Sequence, residues 1–264
     1  MTSAEWGTTN TRMENTGHPD AGATLDEEEV ARFAAMADEW WDAEGKFRPL
    51  HALTPLRLTF IRDQLCDRFG RDANAGRSLE GLRIADIGCG GGLLCEPMTR
   101  LGARVTGLDP AEDSIAAARA HALGQGLEIE YRAERAETLA DARISFDAVL
   151  AMEVVEHVPD VPAFIRLVAR LVRPGGLLLL STINRTIKSY ALAIVGAEYV
   201  LRWLPMGTHR WDRFVTPREL AGACSSAGLS ETARTGMVFN PLASDWQLSR
   251  DTDVNYLLAA VRPE

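Results

Sequence analysis

The chain has 264 residues, 46% of them hydrophobic and 25% charged, a composition with enough apolar material for a substantial core, which excludes disorder along the whole length. Lys plus Arg number 28 against 37 for Asp plus Glu, a formal net charge of −9, so the average surface repels an anionic polymer and no nucleic-acid partner is expected. Cys66, Cys89, Cys95 and Cys224 form neither a CxxC pair nor a zinc-type spacing, which argues against a disulfide framework or structural metal cluster and for a reducing compartment.

Residues 1–23 are rich in Thr, Asn, Gly and Asp without periodicity and are expected to form a disordered lead. The first 30 residues hold seven acids, one Arg and no apolar run, the opposite of a secretory signal or a transit peptide, so a cytoplasmic location is expected. Helices are expected over 24–70. Val30, Phe33, Ala34, Ala37, Trp40 and Trp41 fall at helical spacing behind an acidic first turn, which suits the positive end of a helix dipole. The spacing then predicts a second helix with Thr54 as cap, Pro55 at the first helical position, Leu56, Phe60, Ile61 and Leu65 on one face and Gly70 as stop. A polar loop over 70–81 follows.

From 82 to 264 the chain alternates short apolar runs with helical patterns. Strands are predicted at 82–87, 103–108, 129–131, 146–151, 177–183, 232–238 and 254–261, and helices at 93–101, 112–123, 161–172 and 217–227. Such alternation implies right-handed crossovers and an α/β, Rossmann-like fold: a mostly parallel seven-stranded sheet with helices on both faces. About 33 residues, 184–216, separate the fifth strand from the next helix and read as a helical insertion, since connections of that length usually carry function.

The sharpest motif is the string Asp86, Ile87, Gly88, Cys89, Gly90, Gly91, Gly92, which closes the first strand and opens a helix. Glycines there let the backbone turn tightly and approach a ligand at the carboxyl end of a strand. The second strand ends at Asp109, from which a carboxylate can accept both hydroxyls of a ribose. A dinucleotide fingerprint starting at Gly88 would need glycine at 93, where Leu93 stands, and the loop has no GKS or GKT, so both pyrophosphate cradles are disfavoured. A ligand with an adenosine but no phosphate fits better. S-adenosylmethionine is one, and the loop resembles the first motif of class I methyltransferases.

After the fourth strand come Met152, Glu153, Val154, Val155, Glu156, His157. If this segment turns helically, Glu153, Glu156 and His157 share a face and could hold Mg²⁺ or another divalent cation, or they could simply wall the pocket. Met152 could pack on an adenine. A phenol-type acceptor is only about 0.1% ionised at pH 7, a deficit of roughly 4 kcal/mol. Either a cation touching both catechol oxygens or a neutral His157 acting as general base would favour the oxyanion, and the residues alone leave both roles open.

The stretch Trp40, Trp41, Asp42, through Gly45, Phe47, Pro49, Leu50 and His51, to Thr54, Pro55, Leu56 and Arg57, followed by MEVVEHV, NRT and HRWDRF, resembles the ubiquinone-biosynthesis O-methyltransferases over about residues 28–262. The resemblance implies S-adenosylmethionine-dependent methylation of catechol-type polyprenylated rings, one enzyme serving both O-methylation steps. It assigns the cofactor carboxylate to Arg57, the loop to Gly88 and Gly90, the ribose to Asp109, the adenine to Met152 and a divalent cation to Glu153, Glu156 and His157. An Arg on an amphipathic helix is ordinarily part of its solvated face, so for Arg57 the two readings differ.

Within the insertion, 190–204 contains only two charges, Glu198 and Arg202. Fifteen helical residues reach about 22 Å, short of the roughly 30 Å hydrocarbon core, so this segment would lie on a membrane or cover the site as a lid. Arg185, Lys188, Trp203, Arg210, Trp211 and Arg213 around it are residue types that settle at lipid headgroups. The expected partners are therefore the polyprenylated substrate, lipid at the inner face of the membrane through about 187–213, and other enzymes of the same pathway. The competing classes are a Rossmann oxidoreductase and a catalytically dead, lipid-binding form of the methyltransferase fold.

Overall fold

The computed structural model describes residues 24–192 and 211–264, so the expected disordered lead and most of the insertion, 193–210, lie outside the described residues. Asp26 caps α1 (Glu27–Ala34) by accepting from the backbone N–H groups of Glu28 and Glu29, and three acids fill the first turn. The apolar spacing through Trp41 does not prolong this helix, because a separate 3₁₀ turn, Ala37–Glu39, follows it.

The second helix, α2 (Arg48–Phe69), starts well ahead of the expected cap, with Pro49 in its first turn and Pro55 inside it. Thr54 is therefore a helix-interior residue whose Oγ1 donates to the Leu50 carbonyl at 2.8 Å. Pro55 forfeits one backbone hydrogen bond. Burial of Phe60, Ile61 and Leu65, each worth roughly 1.5–3 kcal/mol, offsets that loss. Gly70 ends the helix at φ +63°, as expected.

The strands are β1 (Arg83–Ile87), β2 (Arg104–Leu108), β3 (Glu130–Arg132), β4 (Phe146–Met152), β5 (Val172–Ile183), β6 (Ser230–Asn240), β7 (Asp245–Ser249) and β8 (Asn255–Val261), in the sheet order β3-β2-β1-β4-β5-β8-β6-β7. The first five are parallel. β8 lies antiparallel between β5 and β6, and β7 pairs antiparallel with β6. The seven expected strands are joined by β7, closing a hairpin at whose turn the Asn240 side chain accepts from the N–H groups of Leu242 and Ala243.

Helices α3 (Cys95–Arg100), α4 (Glu112–Gly124), α5 (Ala136–Asp141), α6 (Val161–Leu171), a single turn α7 (Ile187–Ser189) and α8 (Pro217–Ser226) complete the described chain. One face of the sheet buries Leu139, Phe164, Ile165, Val168 and Leu220; the other buries Ile61, Leu65, Met98 and Ile115. A third cluster, Ala37, Trp40, Phe47 and Leu93, packs the amino-terminal elements beside the glycine loop. Strand order reverses between β1 and β4, and at such a switch point the carboxyl ends diverge into a crevice.

Candidate active site

A cavity of about 1100 Å³ opens at this crevice and is lined by Arg57, Gly88, Asp109, Met152, Glu153, Glu156 and His157. Gly88 and Gly90 have φ of +72° and +51°, in the left-handed region that favours glycine. A Cβ on Gly88 would stand 2.6 Å from Val154 Cγ2, and one on Gly90 would overlap the Trp40 ring. Gly90 shapes the loop from behind: its N–H donates to Asp109 Oδ2 at 3.0 Å, while Ala111 N–H donates to Oδ1 at 2.9 Å. Burial raises the Asp109 pKa and these two N–H groups pull against it, leaving the carboxylate held in place with lone pairs to spare.

Asp86, at the start of the motif, is buried, and desolvation pushes its pKa up to about 7 even though Cys95 Sγ donates to it at 3.3 Å. Arg57 is 3% exposed, so it is no part of a solvated face. Its Nη2 lies 3.0 Å from Glu153 Oε1, near enough for an ion pair but misaligned, and neither Nε nor Nη2 finds a hydrogen-bond acceptor. A buried guanidinium with unfilled donors in a cavity suits a carboxylate-bearing ligand.

The Glu and His cluster does not form the shared helical face. Glu153 follows β4 at φ +55°, a strained conformation for a residue with a Cβ. A 3₁₀ turn, Val155–His157, then rotates its successors. Ser181 Oγ donates to Glu153 Oε1 at 2.7 Å. Glu156 is buried, accepts from Thr182 Oγ1 at 2.8 Å, and is pushed up in pKa by burial and by the charge of Glu153. The His157 Nδ1 lies 2.7 Å from Glu29 Oε2 of α1, and Phe33 meets its ring edge to face at 5.2 Å. Among the described residues no group of three or more His, Cys, Asp and Glu is placed to hold a metal ion. In this structure Glu153, Glu156 and His157, the three residues expected to hold a cation, are each turned toward a different protein partner.

Glu29 is a site residue that sequence reasoning missed. In the sequence it is one of three consecutive acids opening a helix, and the dipole alone accounts for those. Burial would raise its pKa, but the hydrogen bond from His157 and the nearby positive charges hold it below the usual carboxylate range. The far wall was missed as well. Met237, Phe239 and Trp246 of the β6–β7 hairpin line the cavity, with Phe239 and Trp246 packed edge to face at 5.6 Å. The dipeptide Asn240–Pro241, a turn signal between two apolar runs, was the available clue.

On the flanks of the insertion, Ile187, Tyr190, Leu192 and Trp211 are exposed. Arg185 pairs with Glu219, Lys188 with Asp251 at 2.6 Å, and Arg213 with Asp26 at 2.8 Å. These three cations, expected at lipid headgroups, are thus engaged by carboxylates of the protein. Trp203 and Arg210 lie outside the described residues.

The methyltransferase domain family matches residues 85–180. Among solved structures, a SAM-dependent methyltransferase from Thermotoga maritima is 17% identical with a TM-score of 0.57, covering 89% of this chain and 98% of that one. Magnesium protoporphyrin IX methyltransferase from Synechocystis PCC 6803 with bound SAH is 23% identical with a TM-score of 0.54, covering 77% and 83%. At that identity the likeness establishes the class I methyltransferase fold. A ubiquinone biosynthesis O-methyltransferase from Sinorhizobium fredii is 57% identical over 243 residues, 92% of this chain and 98% of that protein. Its counterpart from Rhizobium leguminosarum bv. trifolii is 57% identical over 242 residues, 92% and 96%. With identity of this order over nearly the whole length of both chains, on a methyltransferase fold, the chain belongs to the family of ubiquinone biosynthesis O-methyltransferases.

Proposed function

We propose that this protein transfers the methyl group of S-adenosylmethionine to a hydroxyl of catechol-type polyprenylated rings, serving both O-methylation steps of ubiquinone biosynthesis. The observation that carries the reading is that one cavity takes in the glycine loop, Asp109 and Arg57 on one side and His157 on the other.

Bound there, S-adenosylmethionine supplies an electrophilic methyl on a sulfonium centre. The residues fit such a ligand. Arg57 would offer its unfilled Nε and Nη2 donors to the carboxylate, Asp109 would accept from the ribose hydroxyls, and Met152, buried at the end of β4, would provide an apolar surface for the base. On the acceptor side, the His157 Nδ1 is taken by Glu29, which leaves Nε2 as the ring nitrogen that accepts the hydroxyl proton while the oxygen attacks. The ionised Glu29 carboxylate then stabilises the imidazolium so formed. No step is assigned to a divalent cation, because the side chains of Glu153, Glu156 and His157 are committed to separate partners.

The test is transfer of labelled methyl from S-adenosylmethionine to a short-chain catechol analogue, with a monophenol as control and with and without a chelator. Transfer to the catechol alone, persisting in chelator, is expected. No transfer to either ring would overturn the reading, and loss of activity restored by Mg²⁺ would move deprotonation from His157 to a bound cation.

From the acceptor's prenyl chain we infer that the enzyme works at the cytoplasmic surface of the membrane, with contact through about 187–213, where other enzymes of the pathway would meet it. The exposed Ile187, Tyr190, Leu192 and Trp211 support this, and no helix of the described residues is long and apolar enough to cross a membrane. Deleting residues 187–206 should abolish co-sedimentation with anionic vesicles while cofactor affinity stays nearly unchanged; undiminished vesicle binding by the deletion would remove the membrane assignment.

A further inference from the structure

The glycine loop is held by Trp40, which itself lines the cavity, and by Trp41, which does not. Trp40 lies so close over Gly90 and Gly91 that a Cβ on either would overlap its ring. Its indole N–H donates to Ser114 Oγ of α4 at 3.1 Å, and the ring stacks on Phe47 with centroids 3.8 Å apart. Trp41 takes the adjoining carbonyl: its Nε1–H donates to Gly91 O at 3.0 Å. The Trp41 ring is stacked on His121 of α4 with centroids 3.5 Å apart and planes 7° apart. The His121 Nδ1 in turn lies 2.6 Å from Glu96 Oε1, a carboxylate only 1% exposed in α3, the helix that the loop opens. Loop, α3, α4 and the Trp40–Trp41 segment therefore close a ring of contacts.

Each link has a physical reason. A glycine-rich loop has the largest backbone entropy to lose on ordering, so a loop that must receive a ligand gains affinity from any contact that fixes it beforehand. A buried carboxylate such as Glu96 needs a partner. Arg100, with Nη1 3.2 Å from Glu96 Oε2, and His121 both meet that need, and His121 at the same time presents a flat ring face to Trp41.

Resting on the reading that this loop seats the nucleoside, we propose that Trp41 is a positioning residue for cofactor binding, pinning the Gly91 carbonyl, and that Glu96 and His121 act on the cofactor only by holding Trp41. The link runs through the loop backbone and leaves the acceptor wall untouched.

The test uses the full chain and S-adenosylhomocysteine as probe, with affinity read by calorimetry. Binding by the wild type is read first, and its absence would overturn the cofactor reading and this inference with it. Trp41→Phe keeps an aromatic ring for the stack and removes the indole N–H. It is expected to weaken S-adenosylhomocysteine binding about three- to tenfold, the scale of one hydrogen bond, with kcat at saturating cofactor and KM for the acceptor within about twofold of wild type. A merely structural role would lower kcat and the melting temperature together. His121→Ala removes the stacking platform at a partly exposed position, should weaken binding about two- to threefold, and carries the test if Trp41→Phe fails to fold. The double variant should bind no more weakly than Trp41→Phe alone, since His121 acts through Trp41. Wild-type affinity in Trp41→Phe would overturn the proposal, and so would two single losses that simply multiply in the double variant.

Discussion

The two sides of the cavity are built by different means. On the cofactor side, Arg57 of α2 apart, neighbouring pieces of chain do the work: a strand end, a glycine loop and the carboxylate of the neighbouring strand, joined by hydrogen bonds from the loop backbone such as Gly90 N–H to Asp109 Oδ2. On the acceptor side, side chains from α1, the turn after β4, α7 and the β6–β7 hairpin meet across long separations, as in the His157 to Glu29 bond between residues 128 positions apart. The first arrangement follows from the strand–loop–helix unit itself, while the second exists only when several elements are docked. Damage to one side should therefore appear as lost affinity and damage to the other as lost rate.

The largest effect should come from His157→Ala, which removes the proposed base. A fall in kcat of about 10²- to 10⁴-fold is expected, with S-adenosylhomocysteine affinity within about twofold by calorimetry; an equal loss of affinity would erase the contrast between the two sides. Asp109→Ala is the mirror experiment. It leaves two backbone N–H groups without their acceptor and removes the diol contact, so cofactor affinity should drop about a hundredfold, the scale of two hydrogen bonds to a charged group.

Glu29→Gln sharpens the acceptor side alone. The amide can still accept from His157 Nδ1 but carries no charge to stabilise the imidazolium, so kcat should fall about tenfold while both KM values hold. A wild-type kcat would reduce Glu29 to a docking contact of α1.

The smallest effect is one of stability. Asp86 has a folded pKa of about 7 against an ordinary 3.8, raised chiefly by burial. A carboxylate raised in the fold favours the native state when protonated, so its contribution is complete below about pH 4 and is lost as the pH rises through 7. Asp86→Asn removes that dependence. Its melting temperature should exceed the wild type's by a few degrees at pH 8, with the gap closing toward pH 4; a gap that does not change with pH would contradict the assignment.

The parallel strands, the glycine loop and Asp109 were legible because each rests on a local regularity: an apolar run, positive-φ glycines, an acid at a strand end. The start of α2 was misplaced because Thr54 and Pro55 form a good helix opening by local rules, yet Pro49 forms another and burial of the helix face favours the longer helix. Arg57 was ambiguous for a related reason. Whether a helical Arg is solvated or buried depends on what covers that face, here the turn that carries Glu153.

The chain's own pattern determined the α/β class, the cofactor loop and the membership of the family, since short-range periodicity and backbone torsion are encoded in neighbouring residues. Only the folded arrangement decided that Glu29 faces His157, that Glu153 and Glu156 take Arg57, Ser181 and Thr182 as partners, and that a hairpin closes the far wall. Pairings of that kind depend on which distant elements the sheet brings together, and desolvation inside the cavity then makes each of them selective.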